Sequence, residues 1–523
     1  MIPATTKGAV LRCGAAGPRR VTRGKRRQGR LVAANVASRK PNGAGEKKPT
    51  DLWSSRFLYS DLDEAVTDSA EFCVLPPPWE VELAPVFDKD ANEPEFLQAV
   101  TETLQSVGPL LRDDPKRVET FRRMVEPERV IIFRVPWVDD DGRKRVNRGF
   151  RVQMNQARGP YKGGLRFHPT VNLSILKFLA FEQTFKNALT GLPLGSGKGG
   201  ADFDPKGKSD GEIMRFCQSF MTELYRHVGP TVDVPAGDIG VGGKEIGYMF
   251  GQYKRIVGSF DGGVLTGKGM SYGGSNIRPE ATGYGLVYFL SEMVQRKDVA
   301  PSLAGLRCAI SGSGNVSQFA AEKLLSFGAI PQTFSDSDGT LYKETGFDEA
   351  DLAVVCHHKN EKRGRLRELE GHAEGWEYFE GMRPWQVGKG YDVALPCATQ
   401  NEVSLEDALA LVQKGVMVVA EGANMPSTPE AVEEFERSGV LFGPAKAANA
   451  GGVAVSGLEM AQNAMGIQWT REEVEERLRK IMVDIYDKCD EGSKMVEDGS
   501  LRIGADISGF LTVAQAMEEQ GHV

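Results

Sequence analysis

The sequence is short of three things: acid at its start, paired cysteines and long apolar runs. Residues 1–45 contain Lys and Arg throughout and neither Asp nor Glu; the first acid is Glu46. The segment also lacks the apolar core of a secretory leader; rich in Arg, Ala and Gly and free of acid, it reads as an organelle transit peptide. The stretch "RLVAANVAS" (Arg30 to Ser38) resembles a plastid processing region, so a chloroplast is favoured over a mitochondrion. The plainer alternative is a disordered basic tail. Beyond this segment the chain is acidic, which argues against nucleic acid and anionic membrane as partners. The seven cysteines (Cys13, Cys73, Cys217, Cys308, Cys356, Cys397, Cys489) are scattered, with no Cys-x-x-Cys pair. That disfavours a structural zinc site and fits a reducing compartment. In Cys356-His357-His358 adjacent side chains of a helix point apart and no further ligand stands nearby, so no metal is expected. No uninterrupted apolar run reaches the roughly 18 residues of a membrane helix.

What is present is ample for a buried interior. A chain of 523 residues, 41% hydrophobic, is too long for one ordinary domain. Residues 46–90 are broken by prolines ("LPPPWE") and read as a linker or N-terminal arm. A helix is expected from Asn92, as cap, to Leu111, with Pro94 in its first turn. Arg129 to Asn155 reads as a hairpin about the Asp141-Gly142 turn. Asn172 to Thr190 predicts a helix that puts Leu179, Gln183 and Lys186 on one face. From about Ser302 strands and helices alternate, with strands at Leu306–Ser311, Ala329–Gly339, Tyr391–Ala398 and Val416–Asn424. The expected class is α/β, with a doubly wound parallel sheet in this second half.

Lys198 in "GLPLGSGKGG" suggests a phosphate loop, but that pattern requires glycine where Leu192 stands and a hydroxyl where Gly199 stands. Gly312 and Gly314 sit better, between a strand and a helix, where a dinucleotide pyrophosphate is bound; Ser317 occupies the third, small position. The second strand ends at Ser335-Asp336-Ser337. An acid there holds the ribose of NAD and repels the extra phosphate of NADP. Lys359, Lys362, Arg363 and Arg365 downstream favour that phosphate, or form only a solvated helix face. These residues leave the choice open.

Three lysines, Lys162, Lys186 and Lys198, stand in distinctive settings, the first and last flanked by glycine, and Asp238 follows in "VPAGDIGVGG". Several cations converging near an acid suit a small dianion. A lysine buried among cations loses proton affinity and can work as an acid/base near neutral pH.

The chain from about Asn92 onwards resembles hexameric glutamate dehydrogenases of the small-subunit, NADP-linked type. The resemblance rests on "YKGGLRFHPTVNLSILKFLAFEQTFKNALTGLP", "GKGGADFDPKGKSDGE", "VPAGDIGVGG", "IRPEATGYG", "GSGNV", "AEGANMP" and "AANAGGVAVSGLEMAQNA". It implies two α/β domains. Residues 91–275, with a C-terminal helix over 500–523, would bind substrate and oligomerise; residues 276–499 would form a Rossmann-like NADP-binding domain. It implies Lys198 and Asp238 as catalytic residues. Gln183, Lys186 and Gly237 would take the α-carboxylate end, Lys162 and Ser456 the γ-carboxylate, with Asn449 and Val453 near the substrate. Thr282, Gly312, Gly314, Asn315, Ser335, Lys359, Lys362, Arg365 and Asn424 would hold NADP, which the resemblance favours over NAD. It further implies 2-oxoglutarate, ammonium and L-glutamate as substrates, a homohexamer, and no metal. The rivals are an NAD-linked enzyme, a related dehydrogenase of leucine or phenylalanine, in which apolar residues replace Lys162 and Ser456, and a sensor that has lost catalysis.

Overall fold

A computed structural model of the chain describes residues 78–112, 114–497 and 499–521. The expected transit segment and residues 46–77 of the expected arm lie outside the described residues. The rest of that arm departs from the expectation: it forms helix α1 (Pro78–Lys89). Proline is tolerated in a helix's first turn. Leu83 is buried, and Val86 and Phe87 pack beside it on the core of the next helices.

Helix α2 (Pro94–Leu111) starts after Glu93 rather than at an Asn92 cap. The cause is tertiary: Lys177 draws both Asp90 (2.8 Å) and Glu93 (2.5 Å) into ion pairs at this helix entry. Helix α3 (Pro115–Met124) is capped by Asp114. The expected hairpin is present as β1 (Arg129–Val138) and β2 (Lys144–Asn155), paired antiparallel along their length. After β3 (Tyr161–Phe167), the Asn172 side chain accepts from the Ile175 N–H at 2.9 Å and starts α4 (Leu173–Leu189). Then come β4 (Ser196–Ala201), α5 (Asp210–Leu224), β5 (Asp233–Gly237) and α6 (Gly243–Val257).

These strands form one sheet in the order β1-β2-β4-β3-β5. Strand side chains alternate between faces. Phe150, Val152 and Met154 therefore pack under α2 and α4, while Leu165, Phe167 and Ala201 pack under α5 and α6.

Past α7 (Ala281–Arg296) the chain runs through β6 (Arg307–Ile310), α8 (Asn315–Ser326), β7 (Ile330–Pro331), β8 (Thr333–Asp336), β9 (Gly339–Lys343), α9 (Glu349–Asn360) and β10 (Trp376–Glu380). It continues through β11 (Val393–Leu395), α10 (Leu405–Gln413), β12 (Val418–Ala420), α11 (Pro429–Arg437), β13 (Leu441–Gly443) and α12 (Ala445–Ala448), and ends in α13 (Gly451–Met465), α14 (Arg471–Ser493) and α15 (Leu501–Glu519). The parallel sheet has the order β13-β12-β11-β6-β7. Its direction of growth reverses between β6 and β11, and such a switch point opens a crevice at the strands' C-terminal ends.

The single second strand expected over Ala329–Gly339 is split. The Gln332 N–H donates to Cys308 of β6 (2.9 Å) while its carbonyl accepts from Lys343 of β9 (3.0 Å). The chain thus leaves the parallel sheet there and enters an antiparallel ribbon, β10-β9-β8. Helix α15 belongs to both halves: Ile507, Phe510 and Val513 pack with α2–α4, and Leu501 and Ala505 with the parallel-sheet core.

Candidate active site

Strand β4 lies between β2 and β3, and its sequence Ser-Gly-Lys-Gly-Gly-Ala is fully buried. The glycines around the two lysines admit neighbouring backbone. A Cβ on Gly163 would lie 1.7 Å from the Gly197 carbonyl oxygen, so the β3 and β4 backbones approach closely only because Gly163 has no side chain. Lys162 and Lys198 are presented by this tight pairing.

The Lys198 Nζ lies 3.0 Å from Asp238 Oδ2, at the end of β5, and Arg166 Nε meets the same oxygen at 3.0 Å. Burial lowers the Lys198 amine, Asp238 draws it partly back and Arg166 opposes that. Burial resists ionisation of Asp238, but Lys198 and Arg166 outweigh it and hold the carboxyl well below its usual range. Burial, then the charge of Lys198, brings the Lys186 amine down to about 8. Its Nζ donates to Asn449 Oδ1 and reaches Asn424 Oδ1 at 3.4 Å, while Asn449 Nδ2 donates to Ala423 O at 2.9 Å. Burial, then Arg278 and Arg151, pushes the Lys162 amine far down.

These groups line one cleft of about 350 Å³. Every expected substrate or catalytic residue borders it: Lys162, Gln183, Lys186, Lys198, Gly237, Asp238, Asn449, Val453 and Ser456, together with Thr282 and Asn424. Arg278 also borders it, and sequence reasoning did not single it out. Its Nε is buried without a hydrogen-bond partner among the described residues, and Ile277 before it has φ +64°. A β-branched residue there is a strained conformation, a feature that clusters at ligand sites. The motif "IRPEATGYG" held the clue, but an irregular segment carries no periodicity to show where its arginine points.

Next to the cleft, at the switch point, a second cavity is lined by Gly312, Ser313, Gly314, Ser335, Asp336 and Ser337. The two share Cys397, Ala398, Thr399 and Gln400, so they are continuous. Gly314 caps α8, and a Cβ built there meets nothing within 4 Å, leaving a cradle beside the helix N-terminus. Gly312 has φ +81°, and its N–H donates to Ser335 Oγ at 2.8 Å. The cavity therefore offers a phosphate group a helix N-terminus with no side chain in the way.

The other expected cofactor contacts are less direct. Asn315 turns its amide to the Pro279 carbonyl and lines neither cavity. Asp336 is engaged already: it accepts from the Asp338 and Leu366 N–H groups (3.1 and 3.0 Å), with Lys359 Nζ 3.6 Å away. Arg365 donates to Ser337 Oγ at 2.8 Å. Lys359 and Arg365 thus reach the cavity rim through residues that line it, whereas Lys362 is exposed and lines neither cavity.

Comparison with known proteins agrees with this geometry. Residues 127–255 match the Glu/Leu/Phe/Val dehydrogenase dimerisation domain, and residues 273–521 the Glutamate/Leucine/Phenylalanine/Valine dehydrogenase family. The chain is 59% identical to the NADP-specific glutamate dehydrogenase of Giardia intestinalis over 84% of its length and 98% of that protein. It is 55% identical to the Escherichia coli protein of the same name, over 83% of this chain and 96% of that one. A solved glutamate dehydrogenase of Plasmodium falciparum superposes with a TM-score of 0.82 at 52% identity, covering 85% of this chain and 94% of that one. A solved hetero-hexameric glutamate dehydrogenase from Thermus thermophilus superposes at 0.72 with 28% identity, covering 82% and 96%. With both halves matched in order and the lysine cleft opening on a dinucleotide crevice, the chain belongs to the Glutamate/Leucine/Phenylalanine/Valine dehydrogenase family.

Proposed function

We propose that the chain catalyses the reversible, NADP-dependent reductive amination of 2-oxoglutarate by ammonia to L-glutamate. The observation that carries this reading is the Lys198–Asp238 pair, set in a cleft with two further buried lysines and continuous with the dinucleotide cavity. Relatives at 55–59% identity bear the name of that enzyme.

Lys162, Arg278 and Ser456 would hold the distal carboxylate, and Lys186 with Gln183 and Gly237 the proximal one. Buried cations favour a dicarboxylate over an apolar side chain, because either partner left alone would be an uncompensated charge. Lys198 donates to the carbonyl oxygen. As ammonia adds to the carbonyl carbon, Lys198 protonates the oxygen to a hydroxyl and Asp238 accepts a proton from the nitrogen; returned to Lys198 across their 3.0 Å contact, that proton lets the hydroxyl leave as water and a protonated imine remains. When bound, the reduced nicotinamide supplies a hydride to the imine carbon. The buried walls exclude water from that step.

The engagement of Asp336 by two N–H groups and Lys359 favours NADP over NAD, since a masked acid repels a phosphate less. Purified protein assayed with 2-oxoglutarate, ammonium and each reduced cofactor tests the reading. Turnover with NADPH well above NADH is expected, and no turnover with either overturns it.

Assembly and location extend the proposal. Strand β1 is a sheet edge, and Val130, Ile132 and Val146 on β1 and β2 are exposed. Exposed edges and apolar patches call for cover, which a homohexamer built through the dimerisation domain would supply; light scattering of the purified protein measures its mass. The acid-free basic start would direct the protein to a chloroplast, which a fluorescent fusion of residues 1–45 tests.

A further inference from the structure

Behind the distal-carboxylate residues lies an ion pair that substrate cannot touch. The side chains of Lys268 and Glu459 are both 0% exposed, with Nζ 2.6 Å from Oε1. Glu459 takes three donors from one short loop: the Gly267 N–H at 2.9 Å, the Lys268 N–H at 3.4 Å and the Lys268 amine. The amine also donates to the Leu265 carbonyl at 2.5 Å, closing the loop on itself. Thr266, at its centre, reaches both sides of the cleft. Its N–H donates to the Pro235 carbonyl of β5 at 3.0 Å, and its Oγ1 lies 3.4 Å from Ser456 Oγ on α13. Strand β5 ends in Gly237, just before Asp238, and Glu459 lies one turn past Ser456 on α13.

A fully buried ion pair is poor value as stability alone, because apolar side chains of similar size pack as well without the desolvation cost. What this pair does is geometric. It pins a loop that joins the strand leading to Asp238 to the helix carrying Ser456. Glu459 is also an anion that supports the charge of Lys162 and Arg278.

We propose that Glu459, clamped by Lys268, is a positioning residue for the distal-carboxylate subsite, acting through Thr266 to place Ser456 opposite Lys162. The proposal rests on the reading that Ser456 and Lys162 bind that carboxylate. It predicts a selective cost: binding of the dicarboxylate suffers, while the dinucleotide cavity, which this loop does not border, is untouched.

The test compares Ser456→Ala, Thr266→Val, Glu459→Gln and the Ser456→Ala/Thr266→Val double variant, all in the full chain, by KM for 2-oxoglutarate, KM for NADPH, kcat and Tm. Each single variant should raise the 2-oxoglutarate KM by about tenfold, the effect of one lost hydrogen bond in a buried site, with the NADPH KM changed by less than about twofold. In the double variant Thr266→Val should add little to Ser456→Ala, because the threonine acts through the serine. If Ser456→Ala raises the 2-oxoglutarate KM but Thr266→Val and Glu459→Gln do not, the subsite stands and the positioning role is wrong. The positioning role is equally wrong if both KM values move together with a lower Tm. If Ser456→Ala has no effect, the subsite reading falls and the proposal with it. Should Glu459→Gln fail to fold, Thr266→Val decides, since it removes no buried charge.

Discussion

Lys198, inside β4, and Asp238, just past β5, meet at 3.0 Å although β3 lies between their strands in the sheet, and Arg166 grips the same carboxylate oxygen. The amine is thereby close to a carboxylate that rests ionised and can take a proton, while burial loosens its own. Lys198→Ala should lower kcat by about 10² to 10⁴, the usual worth of a positioned acid/base and of electrostatic stabilisation. NADPH binding, followed by fluorescence titration, should persist, because Lys198 does not border the dinucleotide cavity. Turnover within a few-fold of wild type would remove Lys198 from the chemistry.

Much of this site is legible in the residues alone, and what is not legible has physical causes. The α4 face carrying Leu179, Gln183 and Lys186 follows from helical spacing, and all three border the cleft. The strand–turn–helix around Gly312 and Gly314 is legible for the same reason: regular elements have a period. Arg278 is not, because its direction is set by a left-handed Ile277 in an irregular segment. The glycines beside Lys162 and Lys198 show that something comes close, but not that it is the neighbouring strand. Helix α1 is held by burial of Leu83 against distant helices, a tertiary effect that local composition hides.

Lys162→Leu with Ser456→Val should turn the distal end of the cleft apolar. Losing a cation that pairs with a buried carboxylate costs roughly 2–5 kcal/mol, so kcat/KM for glutamate should fall steeply while that for an apolar amino acid rises. Competition assays with both substrates measure the ratio. An unchanged KM for glutamate would place its distal carboxylate elsewhere.

Glu182 of α4 borders a smaller cavity of about 150 Å³ with Glu102, Lys446 and Asp506. Burial raises its carboxyl from 4.5 to about 7, with Glu102 and Asp506 adding to the rise and Lys446 opposing it. A group whose proton is held more tightly in the folded state favours folding fully below its unfolded value and loses that contribution as pH rises to the folded one. Here the loss runs from 4.5 to about 7. Glu182→Gln cannot ionise, so its stability relative to wild type should improve across that window by about 1–3 kcal/mol. Urea unfolding at about pH 5 and about pH 8 reads the difference, and an equal offset at both would contradict the raised carboxyl.

The cofactor's extra phosphate would meet a rim of cations. Lys359 lies 3.6 Å from Asp336 and donates to the Gly364 carbonyl, while Arg365 holds Ser337 at the cavity rim. Arg365 is exposed and Lys359 half-buried, so each is worth only about 1 kcal/mol alone, but several donors on one doubly charged phosphate sum to a few. Lys359 has a second effect, since its removal leaves the Asp336 carboxylate unneutralised beside the phosphate. Lys359→Ala should therefore raise the NADPH KM more than Arg365→Ala does, and the double variant by about tenfold or more, with NADH use nearly unchanged. Lys362→Ala, altering a side chain that lines neither cavity, should change little. The NADPH preference should also fall as salt rises, because a rim of exposed charges is screened. Wild-type enzyme that used NADH as efficiently as NADPH would instead make the basic cluster a solvated helix face and leave the choice of cofactor to Asp336.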